Sequence, residues 1–413
     1  MSKLISKRHL LSWAVFIPTV VIVLLSLVPV VFPTLLTRAS SPFQGDIAGG
    51  FVSPFDTGIL AAPLIISNLV MLGIGFAYYK KRHEKIRDVF SKISSVDLSR
   101  KKALIAVLIL LAIFVGITAG TLSKEETWVD YADVKSKVQN WTISDFGKNL
   151  DMHFNFLLLS ISLHAFGNIR IVPFIVSIAL LLLTYFFTKK ITDNRFAGIV
   201  STALVLQSQI FVSYSTTASY TNVWILMYLF SLYLIEKFWP PSPVSYFLSI
   251  FSKALTVAFL PMSFYFVARS SLSRKQKMYS LASYGVIAVL IAATAVALQT
   301  NLVGTKISFD SGQFWQGFSA MAMQMRFDYI VILFLLPVTV MLFFASRKGI
   351  LYADTMMIFI LTVLLAAPLL LGYTEQTNQP YRFVSLSVFF AISTGVLLSK
   401  RTRKQDELSS SMQ

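Results

Sequence analysis

Asp130 and Asp133 stand three residues apart in Trp128-Val129-Asp130-Tyr131-Ala132-Asp133. One helical turn would set both carboxylates on the same face. Acids so paired can take the proton from an attacking hydroxyl or hold a divalent cation between oxygen ligands. Both belong to a polar stretch, 122–152, with six of the chain's nineteen carboxylates: Glu125, Glu126, Asp130, Asp133, Asp145 and Asp151. The competing reading is a run of solvated loop acids. His153 opens the following apolar segment. Its imidazole suits a phosphate, a metal or an acceptor, and equally the anchoring of an interfacial helix.

Two cations stand out against apolar surroundings. Lys253 lies near the middle of the run 244–267, and an ionisable group inside such a segment is costly and usually placed for a reason. The alternative is a long side chain reaching to the surface from a turn. Arg382 follows Tyr381 at the start of the last apolar run. A guanidinium there suits bidentate phosphate recognition, and an arginine beside a tyrosine also suits a membrane-interface anchor. Arg170, at the start of an earlier run, is a further candidate of this kind.

The elements that must position these groups are set by hydropathy. Of 413 residues, 55% are hydrophobic and 13% charged, and mean hydropathy is +0.69. Repeated apolar runs long enough to cross a bilayer mean transmembrane segments, and only helices satisfy their own backbone in lipid. The expected fold class is therefore all-α, a polytopic integral membrane protein. The absence of cysteine excludes disulfides, thiolate metal sites and cysteine nucleophiles.

The net charge of +17 follows from topology rather than nucleic-acid binding. Twenty-six of the 36 Lys and Arg fall in loops of one parity, nine of them between Lys80 and Lys102. That bias marks those loops as cytoplasmic, with anionic membrane lipids as their partner. Spans are expected at 11–32, 59–79, 103–121, 171–187, 196–214, 223–238, 279–298, 329–344, 356–371 and 383–398. The run 244–267 reads as a helical hairpin turning near Lys253, which brings the crossings to about twelve with both termini cytoplasmic. Residues 153–166 suit a helix lying in the outer interface. Residues 1–102 form a two-helix extension with a basic cytoplasmic linker, 103–399 the core, and 400–413 a disordered tail.

From Trp128 to Phe238 the order of features resembles the GT-C superfamily of lipid-linked-sugar glycosyltransferases. Protein O-mannosyltransferases and lipid A aminoarabinose transferases are nearest in pattern. Trp128-Val129-Asp130-Tyr131 stands where that family has a Trp-x-Asp-Glu type motif, and His153-Phe154-Asn155-Phe156 where it has His-Pro-Pro-Leu. Phe166-Gly167, the span opened by Arg170, Phe211-Val212-Ser213-Tyr214 with Asn222, Ser252-Lys253-Ala254 and Gln379-Pro380-Tyr381-Arg382-Phe383 continue the order. The resemblance covers about three quarters of the chain and leaves out the first hundred residues. The chain departs from the pattern at Tyr131 and Asn222, where acids are expected, and in lacking both prolines after His153.

The resemblance implies transfer of a sugar from a polyprenyl-phosphate donor to a lipid or protein acceptor on the extracytoplasmic side. Asp130 would be the base and Asp133 its support. His153, Asn222, Lys253 and Arg382 would bind substrate or phosphate, with a divalent cation as the one cofactor the acids would hold. A non-catalytic scaffold or accessory subunit of the same fold is the alternative, favoured by Tyr131 and Asn222. A transporter is the third, and it would call for paired ionisable groups near the midplane.

Overall fold

The computed structural model describes residues 2–35, 55–79, 88, 92–93, 95–142, 153–297, 308–373, 379–399 and 401–402. Asp145 and Asp151, most of the basic linker and residues 403–413 of the tail lie outside the described residues. Among the described residues the regular secondary structure is helical, apart from a single isolated β-bridge between Ile350 and Thr402.

The helices follow in order: α1 (Ser2–Val31), α2 (Ala61–Tyr79), α3 (Arg100–Thr118), α4 (Tyr131–Asn140), α5 (His153–Phe166), α6 (Ile171–Thr192), α7 (Arg195–Leu206), α8 (Gln209–Tyr214) and α9 (Val223–Lys237). After them come α10 (Ser242–Ser252), α11 (Leu260–Arg269), α12 (Arg274–Ala297), α13 (Ser311–Gln324), α14 (Tyr329–Lys348), α15 (Ala353–Tyr373) and α16 (Val384–Leu397). Among the described residues, eight units are long and apolar enough to cross a membrane: α1, α2, α3, α6, α12, α14, α15 and α16 with the turn before it. The protein is thus a helical membrane protein. Helices α7 to α11 are shorter, at 6 to 15 residues each.

Burial sorts the spans. The unit Pro380–Leu397 is 78% buried, whereas α2 and α12 are each only 17% buried. α16 is apolar on all sides and packs against α6, α7, α14 and α15, the pattern of a central helix. α2 and α12 present most of their apolar surface outward, as helices facing lipid do.

Two breaks matter for the site. The expected span 196–214 is two helices, α7 and α8, because the polar triplet Gln207-Ser208-Gln209 interrupts it. The Ser208 hydroxyl accepts from the Phe211 N–H at 3.1 Å and donates to the buried Asp328 carboxylate at 2.5 Å, so the start of α8 is capped. The run 244–267 breaks at Lys253, whose backbone is extended. A 3₁₀ segment, Ala254–Phe259, leads on to α11. Thr256 Oγ1 donates to the Ser249 carbonyl at 2.9 Å and Tyr246 Oη to the Thr256 carbonyl at 3.0 Å, which satisfies backbone groups the break releases.

The bundle has two polar ends. At one, contacts join the ends of α9, α11 and α16 to the start of α15, and the lysines and arginines closing α6, α9, α11 and α14 cluster there. At the other, the segment 119–130, the loop 215–222, the Lys253 break and the turn Pro380–Phe383 come together. These are called below the basic end and the loop end.

Candidate functional site

A buried ion pair builds the loop end from beneath. The side chains of Arg170 and Glu126 are 8% and 1% exposed, with Nε and Oε1 at 3.5 Å. Arg170 spends its remaining donors on backbone and hydroxyl oxygens. Nε reaches the Thr216 carbonyl at 2.9 Å, Nη1 the carbonyls of Thr121 (2.5 Å) and Lys124, and Nη2 the Thr216 hydroxyl at 3.0 Å. Glu126 accepts from the Ala218 N–H, and from the Ser219 N–H at 3.3 Å and hydroxyl at 2.9 Å. Arg170, a phosphate-binding candidate on sequence, is here a clamp between two loops. In the sequence nothing separates Glu126 from the other acids of the polar stretch; its buried partners do.

The clamp fixes the loop Ser215-Thr216-Thr217-Ala218-Ser219-Tyr220-Thr221-Asn222, which is buried except for the half-buried Tyr220. Its lack of charged residues is the sequence signal for such burial: serines and threonines satisfy backbone groups without the desolvation cost of ions. Tyr220 matters most. Its hydroxyl donates to Asp130 Oδ2 at 2.5 Å. Burial first, then the hydrogen bond and the charge of Asp130, push that hydroxyl's pKa above its ordinary value. Tyr220 therefore stays a donor, and it orients one carboxylate oxygen of the exposed Asp130. Among the described residues Oδ1 has no hydrogen bond.

From Tyr220 the contacts run on through a second tyrosine. The rings of Tyr220 and Tyr381 stack with centroids 4.4 Å apart and planes 14° from parallel. Lys253 Nζ donates to Tyr381 Oη at 2.8 Å and stands 4.1 Å from the ring centroid. Arg382 Nε donates to the same oxygen at 3.4 Å. Trp128 stacks on Tyr214 at 5.1 Å and meets Tyr220 edge-on at 5.7 Å, so an aromatic wall flanks the chain of contacts. The break at Lys253 and the turn Pro380–Phe383 are what allow both cations to face this wall. In this way Asp130, Lys253 and Arg382, 252 positions apart at the extremes, are brought to one place through Tyr220 and Tyr381.

The other candidates are placed differently. Asp133 is 65% exposed and paired with Lys137 at 2.7 Å on the solvent side of α4, so the two acids share no partner. Tyr131 packs with Val134, Val138, Leu159, Ile169 and Ala218 in a small apolar cluster that seats α4 on α5. Asn222 is buried at the start of α9; its Nδ2 donates to the Ser177 hydroxyl at 3.2 Å, and Oδ1 has no hydrogen bond among the described residues. His153 is buried at the start of α5, two residues ahead of Asn155, whose Oδ1 accepts from Thr221 at 2.6 Å. Among the described residues no three acidic or imidazole side chains gather as a metal ion would need.

No protein-family model, curated protein or solved structure matches this chain.

Proposed function

We propose that this protein is a membrane glycosyltransferase of GT-C type that moves a sugar from a polyprenyl-phosphate donor to a lipid or protein acceptor. The observation that carries the reading is the meeting of Asp130 with Lys253 and Arg382 through the Tyr220–Tyr381 stack. Transfer needs a carboxylate on one side of the anomeric carbon and positive charge on the other. Asp130 Oδ1 takes the proton of the acceptor hydroxyl as its oxygen attacks. The bond from the anomeric carbon to phosphate breaks, and the phosphate leaves with the electron pair. Lys253 and Arg382 balance the charge growing on it. The proton ends on Asp130.

The basic end lies on the cytoplasmic side and the loop end outside. The eight long spans, together with the α7–α8 pair, α9, α10 and α11, make the twelve crossings, and both termini are cytoplasmic. A divalent cation would take Asp130 as its one available acid at this place, so positive side chains carry the phosphate in this reading.

The test uses the purified full chain with a polyprenyl-phosphate-linked hexose and a membrane extract that supplies lipid and protein acceptors, and follows donor consumption. Asp130→Asn should lower it by about 10²–10⁴-fold and Asp133→Asn should leave it. Turnover that survives the double substitution would remove the site assignment. A second reading, a non-catalytic member of the same fold, is favoured by Asp133 and Tyr131 being engaged in holding α4, which leaves a single acid at the stack. Donor binding without consumption by the unaltered protein would select it.

A further inference from the structure

The two-helix extension has no part in the site above, yet it builds a second one. Where α1 ends and α2 begins, Gly58 lies so close to α1 that a Cβ there would be 2.7 Å from the Val30 carbonyl oxygen. The Gly58 N–H donates to the Val31 carbonyl at 2.8 Å. Only glycine lets the chain turn this tightly against the end of α1. The turn forms one wall of an open groove of about 460 Å³, and α13 with the start of α14 forms the other. That volume is within the range of ordinary ligand sites.

The lining is apolar over most of its length, with Pro29, Val30, Ile59 and Leu60 facing Ala322 and Met323. Thr57 adds a hydroxyl at the turn, and two further polar groups, Arg326 and Ser319, interrupt the apolar lining on the α13 side. Arg326 is exposed at the groove and, among the described residues, makes no ion pair or hydrogen bond; it lies only against the Phe327 ring, 4.9 Å from its centroid. Ser319 is 4% exposed, and its hydroxyl has no hydrogen bond among the described residues. A buried hydroxyl without a partner is costly, and a lone guanidinium beside apolar surface suits an anion that carries a hydrocarbon chain. Phe327 and Tyr329, both more than half exposed, are of the kind found at headgroup level.

We infer that this groove binds one anionic phospholipid, its phosphodiester on Arg326 and an acyl chain along the wall made by the end of α1, the turn 57–60 and α13. The proposal is independent of sugar transfer. It gives the extension a task, which is to hold a lipid against the core.

The experiment is native mass spectrometry of the full chain in detergent, with phosphatidylglycerol or phosphatidylcholine of identical acyl chains added. The unaltered protein should keep one phosphatidylglycerol with about tenfold preference, equivalent to one charge-assisted contact. Arg326→Gln, an exposed change that leaves the fold intact, should erase the preference. Ala322→Trp should fill the groove and lower retention of both lipids. Equal retention of the two lipids by the unaltered protein would overturn the proposal, as would a preference that survives Arg326→Gln. Lipid retained only after deletion of residues 38–52 would also overturn it, by showing that the chain's own segment fills the groove.

Discussion

The two ends of the bundle use the same chemistry for different purposes. At the basic end Glu236 receives Tyr352 Oη, Ser271 Oγ at 3.5 Å and Arg401 Nη1 at 3.6 Å. Asp354 receives Arg269, Tyr265 Oη at 3.2 Å and its neighbour's N–H at 3.0 Å. Both carboxylates are buried, and each is held by at least three groups. At the loop end Glu126 is held in the same way, but Asp130 is exposed and held by Tyr220 alone among the described residues. A saturated acid fixes the fold. An acid oriented through one oxygen, with the other left over, has capacity for a reactant. The contrast separates clamp from candidate catalyst more sharply than acidity or location does.

The largest expected effect is on the clamps. Removing one partner of a buried pair leaves an uncompensated charge, at a cost of about 3–5 kcal/mol. Glu126→Ala should therefore lower the thermal transition of the detergent-purified protein severely, and Asp354→Ala at the basic end should do the same. If Glu126→Ala melts like the unaltered chain, the loop 215–222 is held by something other than the clamp. The comparison between the ends then collapses.

Next comes Asp130→Asn, expected to lower donor consumption by about 10²–10⁴-fold, the range for a lost general base. As an exposed site it should shift stability by no more than about 0.5 kcal/mol. A large stability loss would move Asp130 into the class of Glu126. Tyr220→Phe keeps the stack on Tyr381 and deletes only the hydrogen bond to the carboxylate. A base left without its orienting contact costs rate, so turnover should fall by roughly 10- to 100-fold, while at this exposed carboxylate melting should move by no more than about 0.5 kcal/mol. Equal falls in both quantities would make Tyr220 structural.

What could be read beforehand differs between the fold and the site. Hydropathy alone gives helices and their approximate ends, because lipid leaves the backbone no other choice. The turn near Lys253 is legible for the same reason, since a charge must find a polar end. The division of 196–214 into two helices does not show in the hydropathy: the apolar residues around Gln207-Ser208-Gln209 conceal it, and the acid that holds it, Asp328, lies 120 residues further on. In the candidate site, Asp130, Lys253 and Arg382 stand out in the sequence as charges in conspicuous places, whereas the residues that connect them do not. Tyr220 and Tyr381 look in sequence like interface aromatics, and their stacking is a tertiary fact. Glu126 and Arg170 could not be paired from spacing, because each is recognised only through a loop that neither adjoins in sequence.

The smallest expected effect concerns Asp133, and it tests the comparison from the other side. Its pair with Lys137 is i, i+4 along α4, with side chains 65% and 58% exposed. Exposed pairs of this geometry contribute about 0.3–0.5 kcal/mol, and an acid in the first helical turn adds a further amount of similar size through the helix dipole. Asp133→Asn should therefore cost under about 1 kcal/mol in melting, less in high salt because solvent screens the pair, and leave donor consumption where it was. Consumption lost together with the pair would mean that α4 must be held in its present pose for Asp130 to work. Asp133 would then be a positioning residue, and its loss should be repaired by Asp133→Glu, which keeps the charge within reach of Lys137. The sequence grouped the two acids by their spacing; the structure divides them by what each one touches, and this variant measures whether that division holds for the chemistry.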